Sequence, residues 1–237
     1  MRSILIFLLL LGVRASTRFL YRLREDWMPT KPHEMADDTR IVAVLNHTSL
    51  YEPLIAGYAS TKLLWRFARH GVLPVAEKTM KRPIGLFFRF LVRHTVTVTR
   101  QRDSTWEEVL SKIDSRALVI ILPEGRMKRR TGLDSKGRKM TIRAGIVDIL
   151  EALPDGRILT VYSGGLHHIQ APGELLARPF RTILCRFEMI DIAEFKRDLT
   201  AKYPDIGFRP AVIRDLTERR DAYCPTELQP PPIPTDP

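Results

Sequence analysis

The sequence predicts an α/β fold, a mixed central sheet flanked by helices, preceded by an apolar and basic N-terminal helix. Three observations carry this expectation. Ile41–Leu45 and Leu118–Leu122 are unbroken aliphatic runs of strand length, the pattern of strands covered on both faces. Strand-like runs alternate with helix-like ones along the chain, which favours a layered sheet. Residues 1–24 join an apolar run to arginines with no acid among them. The further elements follow in order. Pro53 to Ser60 reads as a helix with Pro in its first turn. Ile84 to Val92 reads as an apolar helix, Val96–Thr99 as an alternating strand, and Trp106 to Ile113 as an amphipathic helix. Ile142 to Leu150 reads as a helix, and Ile158–Tyr162 and Thr182–Phe187 as strands.

Composition narrows the function classes. The chain has 237 residues, 44% hydrophobic and 27% charged, which is globular rather than disordered. Its two cysteines, Cys185 and Cys224, stand 39 positions apart, so a zinc ribbon or a disulfide scaffold is excluded. Lys and Arg exceed Asp and Glu by 11. That excess is concentrated. Residues 1–24 carry a net +5 and residues 126–143 a net +7, leaving the rest near neutral. Two basic patches on a neutral body point to anionic partners: phosphates, a lipid surface or nucleic acid.

At the N-terminus, Ile4 to Leu11 is wholly apolar and Gly12 and Val13 extend it. Ten helical residues span ~15 Å, about half of a ~30 Å bilayer core. A signal peptide cut near Ala15 and a short core helix are alternatives. Arg14, Arg18 and Arg22, interleaved with Phe19, Leu20, Leu23 and Trp27, favour a half-buried anchor in the headgroup layer. The expected organisation is an anchor over 1–30, an α/β domain over 31–224 and a disordered tail over 225–237, where six prolines crowd.

The chemistry concentrates after the first buried strand, in Asn46-His47-Thr48-Ser49-Leu50-Tyr51-Glu52-Pro53. A His at the mouth of an α/β sheet sits where ligands collect and can take a proton near neutral pH. A carboxylate five residues on can fix its tautomer and stabilise the imidazolium. Five residues turn ~140° on a regular helix, so the two meet only if His47 lies in the turn and Glu52 at the helix start. Ser49-x-x-Glu52 is also a capping box, in which Glu52 is structural and His47 a loop residue.

A second stretch, Leu122-Pro123-Glu124-Gly125-Arg126-Met127-Lys128, follows the other buried strand. It opens at the same sheet edge as His47 if the strands are parallel. Gly125 permits a tight turn or close approach to a ligand, and Arg126 and Lys128 can grip a phosphate. It lacks the Gly-Lys-Ser/Thr of a P-loop.

These stretches, in order, resemble the glycerolipid acyltransferases with an Asn-His-x4-Asp signature, typified by 1-acylglycerol-3-phosphate acyltransferases. Asn46-His47-x-Ser49-x-x-Glu52-Pro53 is similar to the first block, and Pro83-x-Gly85 with Val98-Thr99-Arg100 to the second. Pro123-Glu124-Gly125 resembles the third block, and Arg143-Ala144-Gly145 the basic-x-Gly that follows it. The departures are Glu52 for Asp, His94 for a Gly, Arg126-Met127-Lys128 for Thr-Arg-Ser, and Thr160 for a proline. The resemblance covers about residues 40–165.

The resemblance implies catalytic roles for His47, Glu52 and Asn46. His47 would be the general base, Glu52 its orienting acid, and Asn46 or nearby backbone N–H groups a support for the oxyanion. It implies substrate-binding roles for Arg100, Glu124, Gly125, Arg126 and Lys128, with Arg100 and Arg126 on the acceptor's phosphate. The expected reaction moves a fatty acyl group from acyl-CoA or acyl carrier protein to a lysophospholipid, with no metal and no bound cofactor. The expected partners are those two substrates, an anionic membrane surface on its cytoplasmic face and an acyl carrier protein, with no nucleic acid. A polyanion-binding module and an inactive relative are the rival readings. The basic stretch lacks the interleaved aromatics that stack on bases. Cys185 reads as core, and His167-His168 as loop residues, since a metal needs further convergent ligands.

Overall fold

In the computed structural model, residues 1–29, 38–81, 83–99 and 103–228 are described. The elements are α1 (Arg2–Leu20), β1 (Arg22–Met28), β2 (Thr39–Leu45), a 3-10 helix (Glu52–Tyr58), α2 (Thr61–His70), β3 (Gly71–Ala76), α3 (Glu77–Met80), α4 (Pro83–Leu91), β4 (His94–Val98), α5 (Ser104–Ser111), β5 (Leu118–Ile121), α6 (Gly145–Ala152), β6 (Arg157–Ser163), β7 (Thr182–Asp191), α7 (Ile192–Lys202) and α8 (Phe208–Tyr223). The strands form one seven-stranded sheet in the order β1-β7-β6-β2-β5-β3-β4. Only β6 and β7 pair antiparallel, so the sheet is mixed, as expected.

Strand periodicity builds two cores. Along β2, Ile41, Ala43 and Leu45 face the layer of α5, α6, α7 and α8, while Val42 and Val44 face that of α1, α2 and α4. All seven β2 residues are buried, which explains the unbroken aliphatic run. β2 runs parallel to both β5 and β6, so the loops after all three open at one edge. The second motif therefore shares an edge with His47.

Three expectations change. Helix α1 is nineteen residues, longer than the ten-residue apolar run and shorter than the anchor expected over 1–30, and is long and apolar enough to cross a membrane. Length alone thus no longer separates a spanning from a half-buried helix. The helix ends at Leu20; Tyr21 turns extended and β1 follows, parallel to β7. Residues expected to continue the anchor to position 30 are instead an edge strand, and Trp27 stacks on Phe187 with centroids 4.9 Å apart. Ile6, Leu10 and Thr17 of α1 are buried on the domain. Arg14 Nη1 donates to Thr61 Oγ1 at 2.7 Å and Arg18 Nε to the Gly57 carbonyl at 2.9 Å. The helix expected at Pro53–Ser60 is the 3-10 helix Glu52–Tyr58. Gly57 there lies so close to α1 that a Cβ would stand 2.8 Å from Thr17 Cγ2. Residues 229–237 of the expected tail lie outside the described residues.

Candidate active site

The turn after β2 carries His47 because the backbone reverses at Asn46, which holds φ 66°. Asn is among the few non-glycine residues that accept this left-handed conformation. Its side chain is spent on the scaffold: Nδ2 donates to the Ser163 carbonyl at 2.9 Å, and Oδ1 accepts from Lys128 Nζ at 3.4 Å.

Glu124, 1% exposed, fixes the same turn from the β5 side. Its carboxylate accepts the backbone N–H of Asn46 at 2.8 Å and of His47 at 3.3 Å. The Lys128 N–H in turn donates to the His47 carbonyl at 2.7 Å. The turn at His47 is thus clamped at both its N–H and C=O groups by residues 124–128. Burial pushes the Glu124 carboxyl up, and the two N–H donors and the nearby His47 partly offset this.

His47 Nδ1 lies 3.1 Å from Glu52 Oε1. The oxygen stands off the line of an Nδ1–H bond, so the pair is at ion-pair distance without an aligned hydrogen bond. Such contacts often tighten only with substrate bound. Glu52 is held by the backbone: Oε1 also accepts the N–H of Thr48 at 3.0 Å and of Ser49 at 2.9 Å. The capping geometry and the His–acid pair coexist on one oxygen. Burial acts to lower the His47 pKa, but Glu52, with help from Glu124, reverses this and leaves the imidazole above its ordinary value. With Nδ1 buried toward Glu52, Nε2 is the nitrogen left for a substrate hydroxyl.

His47 and Glu52 line a largely apolar cavity of about 1080 Å³. It runs between the sheet (Val42, Val44, Leu159, Val161) and the helices α1, α2 and α4 (Leu10, Leu64, Phe67, Phe88). Gly125, Arg126, Arg129 and Arg143 also line it. Gly125 holds φ 58°, where a side chain would be strained.

The expected site residues therefore divide. His47, Glu52, Gly125 and Arg126 meet at the cavity, whereas Asn46, Glu124 and Lys128 are absent from its lining. The Asn46 side chain faces the Ser163 carbonyl and so is not placed as an oxyanion donor. Glu124, expected to bind substrate, bonds to the backbone under His47 because burial makes those N–H groups its partners. Lys128, expected on a phosphate, reaches back to Asn46. Arg126 is in the lining but ion-paired to buried Asp134, which also accepts backbone N–H groups from Lys136 and Arg138. Arg100 lies outside the described residues.

Gln170 and Arg129 were not singled out by sequence. Gln170 lines the cavity and accepts from Ser49 Oγ at 2.5 Å, across 121 positions of chain that carry no signal of the contact. Arg129 is one of several basic residues in its stretch, and only the fold separates it from them. Cys185 is fully buried, and burial pushes its thiol up to about 12. His167 Nε2 donates to the Lys128 carbonyl at 2.8 Å, and His168 Nε2 to that of Thr182 at 2.7 Å. Among the described residues no group of three or more His, Cys, Asp or Glu is placed to hold a metal ion.

The acyltransferase family's sequence profile matches residues 29–164, more than half of the chain and all of the segment that builds the turn at His47. The chain belongs to the acyltransferase family. No curated protein matches the sequence. Nine solved chains match the fold. One is the crystal structure of the 1-acyl-sn-glycerophosphate acyltransferase PlsC from Thermotoga maritima. It is 18% identical, with a TM-score of 0.52 over 90% of this chain and 80% of that one. At that identity the likeness is one of fold. As an acyltransferase, this chain has its His–acid pair at the carboxyl edge of the shared sheet, where α/β enzymes bind ligands.

Proposed function

We propose that the protein is a membrane-associated O-acyltransferase of glycerolipids. It would transfer a fatty acyl group from acyl-CoA or acyl carrier protein to the hydroxyl of a lysophospholipid, 1-acylglycerol-3-phosphate foremost, giving phosphatidic acid. The observation that carries this reading is the His47–Glu52 pair in the lining of a largely apolar cavity that arginines also line.

The chemistry follows from that placement. His47 Nε2 takes the proton of the acceptor hydroxyl as its oxygen bonds to the thioester carbon. Glu52, 3.1 Å from Nδ1, stabilises the imidazolium that forms. The tetrahedral intermediate collapses with loss of the thiolate, which takes the proton back from His47. The ester and the free thiol are the products. The apolar wall suits an acyl chain, and Arg129, with Arg143 and the Asp134-paired Arg126, lines the same cavity as a cation for phosphate. Helix α1 supplies the membrane contact, and its arginine-rich flank favours the cytoplasmic side.

The test is release of free thiol from acyl-CoA in the presence of a panel of lysolipids. Acceptor-dependent release by the wild type, abolished in His47→Ala, is expected. Equal release by the two proteins, or none with any acceptor and either donor, overturns the reading.

A further inference from the structure

The geometry points to a second membrane-contacting element besides α1: the protrusion Pro172–Phe180 between β6 and β7, which seats the cavity mouth in an anionic phospholipid surface. This rests on the proposed glycerolipid activity only for its purpose; the contact itself is argued from the surface.

Leu175, Leu176 and Phe180 are 85%, 78% and 68% exposed, a dense set of large apolar side chains on one short segment. Among the described residues every large hydrophobic side chain left exposed belongs to Met1, α1, α2, α4 or this segment. Helices α5 to α8, on the opposite sheet face, leave none exposed. A one-sided apolar surface of this kind marks an interaction face.

The protrusion is held in place rather than slack. Tyr51 Oη donates to the Leu175 carbonyl at 3.1 Å, Gln170 Nε2 to that of Glu174 at 2.6 Å, and the Arg178 N–H to that of Ile169 at 2.9 Å. Phe180 holds φ 61°, a left-handed conformation that bulky residues rarely adopt. Its ring is therefore displayed outward against local preference. Backbone strain of this kind concentrates at functional positions.

Two observations choose a bilayer as the occupant. The first is continuity with the apolar helix. The Phe180 N–H donates to the Leu20 carbonyl at 2.6 Å, and the Arg22 N–H to that of Arg181 at 3.0 Å. The protrusion thus abuts the end of α1, where Phe19 is 82% exposed. The second is charge. Arg18, Arg22 and Arg181 are exposed around this junction, and Arg178, though paired with Glu174 within the protrusion, is exposed beside them, which suits anionic headgroups. Pro172 through Leu175 also line the cavity. Insertion of the tip would open the cavity onto the lipid, so an acceptor could enter from the bilayer without crossing water.

The test uses the full chain and a Leu176→Ser/Phe180→Asn variant. Neither residue lines the cavity, and Asn accepts the left-handed φ. Co-sedimentation is measured with phosphatidylcholine vesicles with and without phosphatidylglycerol. Binding to the anionic vesicles is expected to fall about tenfold or more, while turnover of a short-chain, monomeric acceptor stays within about twofold. Separately, Leu176→Trp is expected to show fluorescence quenching by brominated lipids beyond that of the wild type. Unchanged vesicle binding, or no added quenching, overturns the proposal. So does a variant whose only change is a lower mass in solution, which would make the partner a second copy. Failure of the proposed activity reads separately, as no turnover by the wild type of either acceptor, and leaves the vesicle result standing.

Discussion

Glu52 Oε1 lies 3.1 Å from His47 Nδ1 while accepting the backbone N–H groups of Thr48 and Ser49, so one oxygen both shapes the turn and faces the imidazole. This explains a carboxylate at a helix start that two separate functions would select. It also lets them be separated. Glu52→Gln keeps an amide oxygen for Thr48 and Ser49 and removes the charge. Thermal unfolding is expected to change little. The kcat/KM for acyl transfer is expected to fall by about 100-fold to 10,000-fold, the range for lost general-base support. A variant with wild-type turnover would remove Glu52 from the relay.

The pH dependence should carry the same signature. The carboxylates hold His47 above the ordinary ~6.5. Only the neutral ring accepts a proton, so kcat/KM of the wild type should climb through a limb above that value. In Glu52→Gln the residual activity should climb at lower pH, because burial is left to dominate. Stability has the opposite sense. The Glu52-dependent stabilisation is full below about pH 6.5 and is lost as pH rises through the folded His47 value.

Glu124 acts through the backbone and is a positioning residue. Glu124→Ala leaves the Asn46 and His47 N–H groups buried without their acceptor and should cost about 1–3 kcal/mol in chemical unfolding. Glu124→Gln keeps an acceptor oxygen for one of them. Its kcat should fall with acceptor KM nearly unchanged, and its pH limb should move downward as the charge near His47 disappears. A raised KM with unchanged kcat would instead make Glu124 a substrate contact.

Asn46 separates conformation from chemistry. Asn46→Gly keeps the left-handed backbone, whereas Asn46→Ala strains it, and both lose the bond to Ser163. The alanine variant should be less stable by about 1 kcal/mol. Equal activity per folded molecule in the two variants is expected if the amide has no role in the oxyanion site.

Gly57 tests the seat of α1. In Gly57→Ala the new methyl meets Thr17 Cγ2 at 2.8 Å, and the helix must shift. A loss of about 1–3 kcal/mol is expected, as for overpacked contacts. Thr17→Ser removes the opposing methyl and keeps the hydroxyl that donates to the Val13 carbonyl at 2.8 Å, so the double variant should recover part of the stability, with Leu23 Cδ1 still 3.0 Å from the new methyl. Both are read by thermal melting and by proteolysis near Leu20.

The sequence alone determined what local pattern can encode. The runs at Ile41–Leu45 and Leu118–Leu122 are buried strands because β2 and β5 lie inside the sheet with helices on both faces. His47 and Glu52 were legible because five residues of turn suffice to bring them together. Tertiary structure decided everything that depends on distant partners. Arg22–Met28 became a strand because β7, more than 150 positions later, offers it a parallel edge. Glu124 and the Lys128 backbone hold the turn at His47 because parallel β2 and β5 place its N–H and C=O groups within their reach, and a buried polar group takes the nearest partner. Ser49 found Gln170 across 121 residues on the same principle, which no spacing in the chain records.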